Sequence, residues 1–279
     1  LYWLQAEIVA MATDLAEVVG GAIALYLLFG IPLLAGGLIM GVLSIALLSI
    51  QNRSGAKVFE RIIIFLLLII VIGFGAGLAV NPPDAAATVG GLVPRFAGEG
   101  SVLLAASILG ATIMPHAIYA HSALVRDRFG QVLAGVQRTR ILKATRVDVT
   151  VALIIAGWVN LAMLLTGAVN LAGLPGTDSL EGVYAALQST LGPTIAVLFA
   201  IALLASGLAS TSVGAYAGAE IMSGLTSFQM PLLWRRIITL IPAIVVLALG
   251  ADATWALILS QVVLSFGIPF ALVPLILLT

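Results

Sequence analysis

The chain contains no cysteine among its 279 residues, which excludes disulfides, thiolate metal sites and cysteine nucleophiles. Charge is nearly as scarce. Lys, Arg, Asp and Glu make up 9% of the residues, against roughly 25% in a soluble domain. The two signs cancel to a net charge of zero. No basic tract is long enough to follow a phosphate backbone, so nucleic acid is not an expected partner. What fills the sequence is apolar: 62% hydrophobic residues and a mean hydropathy of +1.21. Polar surface cannot cover such a chain at this size, so lipid is its solvent and the expected class is all-α transmembrane. No signal peptide is visible. The chain opens at Leu1, without Met and inside an apolar stretch, and reads as a fragment.

Charge-free runs mark the spans: 18–52, 62–83, 100–125, 149–177, 182–219, 237–251 and 253–279. A spanning helix needs about 20 apolar residues. The run 18–52 holds the end of one helix, a glycine-rich turn at Gly20 and Gly21, and a second helix. The pattern predicts eight helices, near 2–26, 31–51, 58–80, 101–126, 147–170, 192–218, 235–250 and 254–277. Residues 179–190 predict a short amphipathic helix at the membrane surface.

The cations fall on alternate connections. Arg53, Lys57 and Arg61 lie between the second and third helices. Arg126, Arg128, Arg138, Arg140, Lys143 and Arg146 surround the fourth-to-fifth connection, and Arg235 and Arg236 follow the sixth helix. The other connections carry Asp84, Arg95 and Glu99, then Asp178 and Glu181, then Asp252. This alternation predicts that Leu1 and the chain end are both cytoplasmic.

Some polar residues sit where lipid should exclude them. Glu7, Asp14 and Glu17 of the first helix fall within an arc of roughly 80° at about 100° per residue. A helix end reaching the headgroups accounts for Glu7. Asp14 and Glu17 lie about 10 and 15 Å deeper, and membrane-buried acids mark proton or ion relays. The fourth helix reads LGATIMPHAIYAHSAL. Pro115 removes a backbone N–H and predicts a break near 112–116, and broken helices at mid-membrane expose ion-binding carbonyls. Beside the break stand Met114, whose thioether suits Mn²⁺, Fe²⁺ and softer metals, and the chain's two histidines, His116 and His121. A kinked structural helix is the plain alternative.

Arg235 and Arg236 read either as membrane anchors or as partners of a first-helix acid, with Glu17 the expected one. Gln261, Asn160 and Asn170 read as interhelical hydrogen bonders of about 1 kcal/mol, and Pro269 as a bend. The run 206–212, SGLASTS, reads as small-residue helix packing.

Four segments together resemble the Nramp (natural resistance-associated macrophage protein) family of proton-coupled divalent-metal transporters. They are AEIVAMATDLAEVVGGAIAL, GATIMPHAIYAHSALV, the WRR before the seventh helix, and SQVVLSFGIPFALVPLI. The resemblance implies a LeuT-type inverted-repeat bundle, of which this chain holds family helices 3–10. Residues 1–80 would close the first repeat and 101–279 form the second. It implies a secondary transporter of Mn²⁺ or Fe²⁺ in the cell membrane, not an enzyme, with the metal and protons as substrates and no cofactor. Met114, Ala111 and Gln261 match the family's metal site. Glu7, Asp14, Glu17, His116, His121, Arg235 and Arg236 match groups implicated in proton movement. The acid face of the first helix and the arginine pair of the seventh lead us to expect a proton route from near His116 to Asp14 and out by Glu17 and the arginines.

Ala117 stands where the family usually has Asn after Pro-His. The family's Asp-Pro-Gly-Asn string does not occur, so half of the implied site lies outside this sequence and the chain as given is not expected to transport. Two other readings stay open at this point. One is a LeuT-fold carrier of another solute, Mg²⁺ or an amino acid, which Met114 disfavours. The other is an intramembrane metalloenzyme using His116 and His121. These two lie about 140° apart around an ideal helix, with no HExxH string beside them.

Overall fold

The computed structural model describes residues 2–54, 56–91, 93, 98, 100–130, 135–225 and 230–278. Arg95 and Glu99 lie outside them. Every regular element among the described residues is a helix: α1 (Tyr2–Phe29), α2 (Leu33–Ser54), α3 (Ala56–Val80), α4 (Ala85–Gly91), α5 (Ser101–Thr112), α6 (Pro115–Phe129), α7 (Val136–Asn170), α8 (Leu180–Thr190), α9 (Pro193–Leu225), α10 (Leu232–Ala248) and α11 (Ala253–Leu278). Six spans are long and apolar enough to cross a membrane, the α5–α6 pair counting as one. The segments α2 and α10 are shorter apolar helices.

Three expectations need correction. Gly20 and Gly21 do not form a turn. They lie inside α1, where Gly21 backs onto Met40 and Gly20 onto Leu203. The chain reverses later, at Gly30 with φ +69° and the following Ile31 and Pro32. The short helix α4 was not expected. Asp84 caps it, its carboxylate accepting from the Ala87 N–H at 2.8 Å. Finally, α7 begins at Val136, not near 147. Its first turns are charged, and a helix that has left the hydrocarbon needs no apolar sequence.

The centre of the molecule is α1, which packs against α9, α11, α2, α10 and α6. Val18, Val19, Ala22 and Ile23 form a sealed core with Met40 of α2 and Ala243 of α10. Most of α1 is therefore lined by protein, while α7 shows a largely apolar, exposed face along its length, including Leu153, Ile154 and Leu164. The small residues of 206–212 serve the α1–α9 contact as expected, with Thr211 and Ser212 fully buried and their hydroxyls turned back on the Leu208 carbonyl.

Candidate functional site

The break in the fourth span follows from Pro115. A helix would run a hydrogen bond from the N–H of residue 115 to the carbonyl of residue 111, and proline has no N–H to give. The chain leaves the helix at Ile113 (φ −108°, ψ 97°) and Met114 (φ −86°, ψ 111°) and re-enters at Pro115, where the ring's fixed φ suits the first helical turn. Ile113 N–H still closes α5 on Leu109 O at 2.9 Å, and Ala117 N–H opens α6 on Met114 O at 3.1 Å. Ala111 O is thus a carbonyl without its helical donor, three residues from the Met114 thioether.

Two contacts fix this break against α11. Gly110 lies so close to the Gln261 carbonyl that a Cβ there would collide with it, so only glycine permits the approach. Gln261 itself is half-buried, and its Nε2 donates to Ser260 Oγ at 3.2 Å. Beyond the break, Tyr119 Oη donates to Phe270 O at 3.2 Å. That carbonyl lacks its helical donor because Pro274 stands four residues on. One proline frees a carbonyl in α5 and another frees one in α11, and α6 answers the second with a side chain.

The acids of α1 are all buried, and α10 supplies their cations. Arg235 Nη2 reaches both oxygens of Glu7, at 3.1 and 2.9 Å. Arg236 Nη1 pairs with Asp14 Oδ1 at 2.5 Å. The Arg236 side chain is sealed from solvent, and its Nε donates to Ser44 Oγ of α2 at 2.9 Å, while Ser44 donates in turn to Gly41 O at 2.8 Å. Glu17 takes neither arginine. Its residue is 7% exposed, and neither carboxylate oxygen has a hydrogen-bond partner among the described residues. The expected Arg–Glu17 pair is therefore replaced by Arg235–Glu7 and Arg236–Asp14. The cause is register: two consecutive arginines on α10 point to different levels of α1, and those levels are positions 7 and 14.

His116, buried at 4% exposure, joins this network from α6. Its Nδ1 lies 3.3 Å from Thr13 Oγ1, whose hydroxyl also donates to Val9 O at 3.0 Å. On the other side is Gly214 of α9. A side chain starting there would lie 3.8 Å from His116 Nε2 and 3.8 Å from Glu17 Oε2. His116 and Glu17 therefore both border the same glycine of α9.

His116 of α6 thus meets α1 through Thr13, and Glu7 and Asp14 of α1 meet Arg235 and Arg236 of α10, with Glu17 buried on the same helix. Ala111 is exposed on α5 and Met114 half-buried at the break, on the side where α5 packs against α11 and Gln261. His121 joins neither group. It is exposed on α6, and no contact among the described residues joins it to the cluster. Asn170 at the end of α7 accepts from Asn81 Nδ2, the residue just after α3, at 2.8 Å, while Asn160 is exposed. Thr13, Ser44 and Gly214 escaped sequence reasoning. Hydroxyls in apolar helices bond their own backbone by default, so nothing in the sequence separates Ser44 from its neighbours. Among the described residues, no three His, Asp or Glu side chains converge to hold a metal.

A helix broken at mid-span, packed against an unbroken helix with buried acids, defines a class: a multi-pass membrane protein with a LeuT-type solute-carrier fold. Comparison with known proteins narrows it. The whole chain, residues 1–279, matches the family described as natural resistance-associated macrophage protein-like. It is 61% identical over 278 residues to a divalent metal cation transporter MntH of Mycobacterium tuberculosis, covering 100% of this chain and 65% of that protein. The figures for the MntH of Deinococcus radiodurans are 46% identity, 100% and 64%. A crystal structure of an Eremococcus coleocola manganese transporter variant superposes with a TM-score of 0.85 at 30% identity, covering 100% of this chain and 63% of that one. The chain belongs to the Nramp family, and it spans about 65% of the length of the curated relatives. These relatives are transporters, not enzymes.

Proposed function

We propose that the full-length protein carries Mn²⁺ or Fe²⁺ across the cell membrane, coupled to inward proton movement, with Leu1 and the chain end on the cytoplasmic side. Residues 1–80 close the first inverted repeat and residues 101–279 form the second. The observation that carries this reading is the break at Ile113–Met114. It puts Met114, the soft donor, three residues after Ala111, whose carbonyl Pro115 leaves without a helical donor. Such a pair suits borderline transition metals and offers little to Ca²⁺ or Mg²⁺, which prefer cages of oxygen. The names of the relatives support the same cargo: divalent metal cations for the MntH proteins and manganese for the Eremococcus protein.

His116 and Glu17 both border Gly214 of α9. Asp14 and Glu7 are each held by an arginine, which leaves Glu17 as the acid available to take a proton from the His116 side. The proton route assigned here therefore runs from His116 to Glu17 and then along the Asp14–Arg236 and Glu7–Arg235 pairs. His121 has no place in it.

Two variants in the full-length protein, assayed in proteoliposomes, test the reading. Met114→Ala removes the only soft donor and should weaken discrimination of Mn²⁺ or Cd²⁺ against Ca²⁺ in competition uptake. Unchanged selectivity would remove Met114 from the site. Glu17→Gln keeps shape and polarity, cannot carry a proton, and leaves both ion pairs intact. Metal-driven proton flux should fall and uptake should lose its pH dependence. Proton flux at the wild-type rate would exclude Glu17 from the route. Asp14→Asn is the less clean variant, because it also strands Arg236.

A further inference from the structure

The helix α7 has 35 residues, about 52 Å at 1.5 Å per residue. That is far more than the roughly 30 Å of a bilayer's hydrocarbon layer. The uncharged part from Val149 to Asn170 spans about 33 Å and fills that layer alone. The preceding turns project beyond it, and they carry Arg138, Arg140, Lys143 and Arg146, all exposed. None of the four has a hydrogen-bond or ion-pair partner among the described residues.

Three of them form a row. Arg140, Lys143 and Arg146 are spaced three apart, so each stands about 60° around the helix from the last and about 4.5 Å along it. Arg146 lies about 4.5 Å beyond Val149, at headgroup depth in a bilayer whose polar layers add roughly 5 to 7 Å per side, and Lys143, about 9 Å beyond Val149, lies just outside that layer with a four-carbon stem that reaches it. Arg140 stands one turn further out, within reach of the same layer through its long side chain. The nearest acid in sequence, Asp148, lies about 160° around the helix from Arg146 and does not neutralise the row. Arg138 stands about 160° from Arg140 and is not part of it.

We propose that the row Arg140–Lys143–Arg146 is a binding surface for anionic phospholipid headgroups. The guanidinium forks of the two arginines grip phosphate oxygens, with the ammonium of Lys143 between them as a point charge. The lipid is favoured over free phosphate because α7 continues directly into the exposed apolar face at Val151, Ile154 and Ile155, along which acyl chains lie. This surface is separate from the metal position and does not depend on the cargo.

The test uses the full-length protein in neutral detergent micelles, with bound lipid counted by native mass spectrometry. Phosphatidylglycerol should be retained at least about tenfold more tightly than phosphatidylcholine, since each surface cation contributes about fivefold to anionic-lipid binding. The triple variant R140Q/K143Q/R146Q should lose that preference. Two controls guard against a folding defect and against diffuse charge: R140K/R146K keeps the charge and should retain a weakened preference, because an ammonium lacks the fork, and Arg138→Gln, about 160° around the helix from Arg140, should change it by less than the roughly fivefold expected of a cation in the row. Equal retention of the two lipids overturns the proposal, as does a preference that survives in the triple variant. Displacement of phosphatidylglycerol by millimolar inorganic phosphate would assign the row to free phosphate instead and overturn the lipid assignment.

Discussion

Two long helices carry most of the informative charge, and they use it in opposite ways. In α1 the charges are acids in the middle of the span, buried, and two of the three are answered by arginines that α10 brings from over 200 residues away in sequence. In α7 the charges are mainly cations gathered before the span, exposed, and without ion-pair partners among the described residues. The same low overall charge therefore yields a sealed network at one place and an open surface at the other. The lesson is energetic. A charge in low dielectric must be paired or it is very costly, so α1 and α10 constrain each other's position. A charge at headgroup depth is already solvated, so α7 is free of any such constraint.

Variants that remove single charges or hydroxyls should separate the two regimes. The largest effect is expected at Arg236→Gln, which strands Asp14 in the core and should cost about 3 to 5 kcal/mol in thermal or denaturant unfolding of the full-length protein. The double variant Asp14→Asn with Arg236→Gln should recover much of that loss, because no buried charge is then left alone. A double variant as unstable as the single one would show that packing, not charge, sets the cost.

Ser44→Ala comes next. It takes away the acceptor of Arg236 Nε and should cost about 2 kcal/mol, the range of a hydrogen bond to a charged group. No loss would mean that the guanidinium finds another acceptor. Tyr119→Phe removes one neutral hydrogen bond at the rim of the bundle and should cost about 1 kcal/mol.

Glu17→Gln should change stability by less than about 1 kcal/mol, since no ion pair is broken. The result sharpens the comparison inside α1 itself, because the three acids share a face and differ only in their partners. Smallest of all, Lys143→Gln in phosphatidylcholine micelles should lie within about 0.5 kcal/mol of wild type. A loss above 2 kcal/mol there would erase the contrast between the helices and show that α7's cations have hidden protein partners.

Much of this was legible in the sequence. Apolar runs located the eight principal helical segments because lipid demands about 20 apolar residues per crossing. Pro115 located the break because a missing N–H cannot be disguised. The acid face of α1 followed from helical periodicity alone. The start of α7 was misplaced because charge was read as the end of the helix, when it marks only the end of the hydrocarbon. The turn was misplaced to Gly20 and Gly21 because glycine serves both turns and close helix contacts, and a single sequence does not distinguish them.

By itself, then, the sequence determined the solvent, the spans, the break and the inventory of polar groups, all of which depend on residues near one another in the chain. The tertiary structure decided which acid meets which arginine, that Glu17 meets none among the described residues, that Gly214 borders both Glu17 and His116, and that Gly110 brings α5 onto Gln261. Those outcomes depend on the relative height and rotation of helices far apart in sequence. Helix rotation is set by the summed packing of whole faces, and a shift of one residue, 1.5 Å and 100°, would redirect every side chain on them.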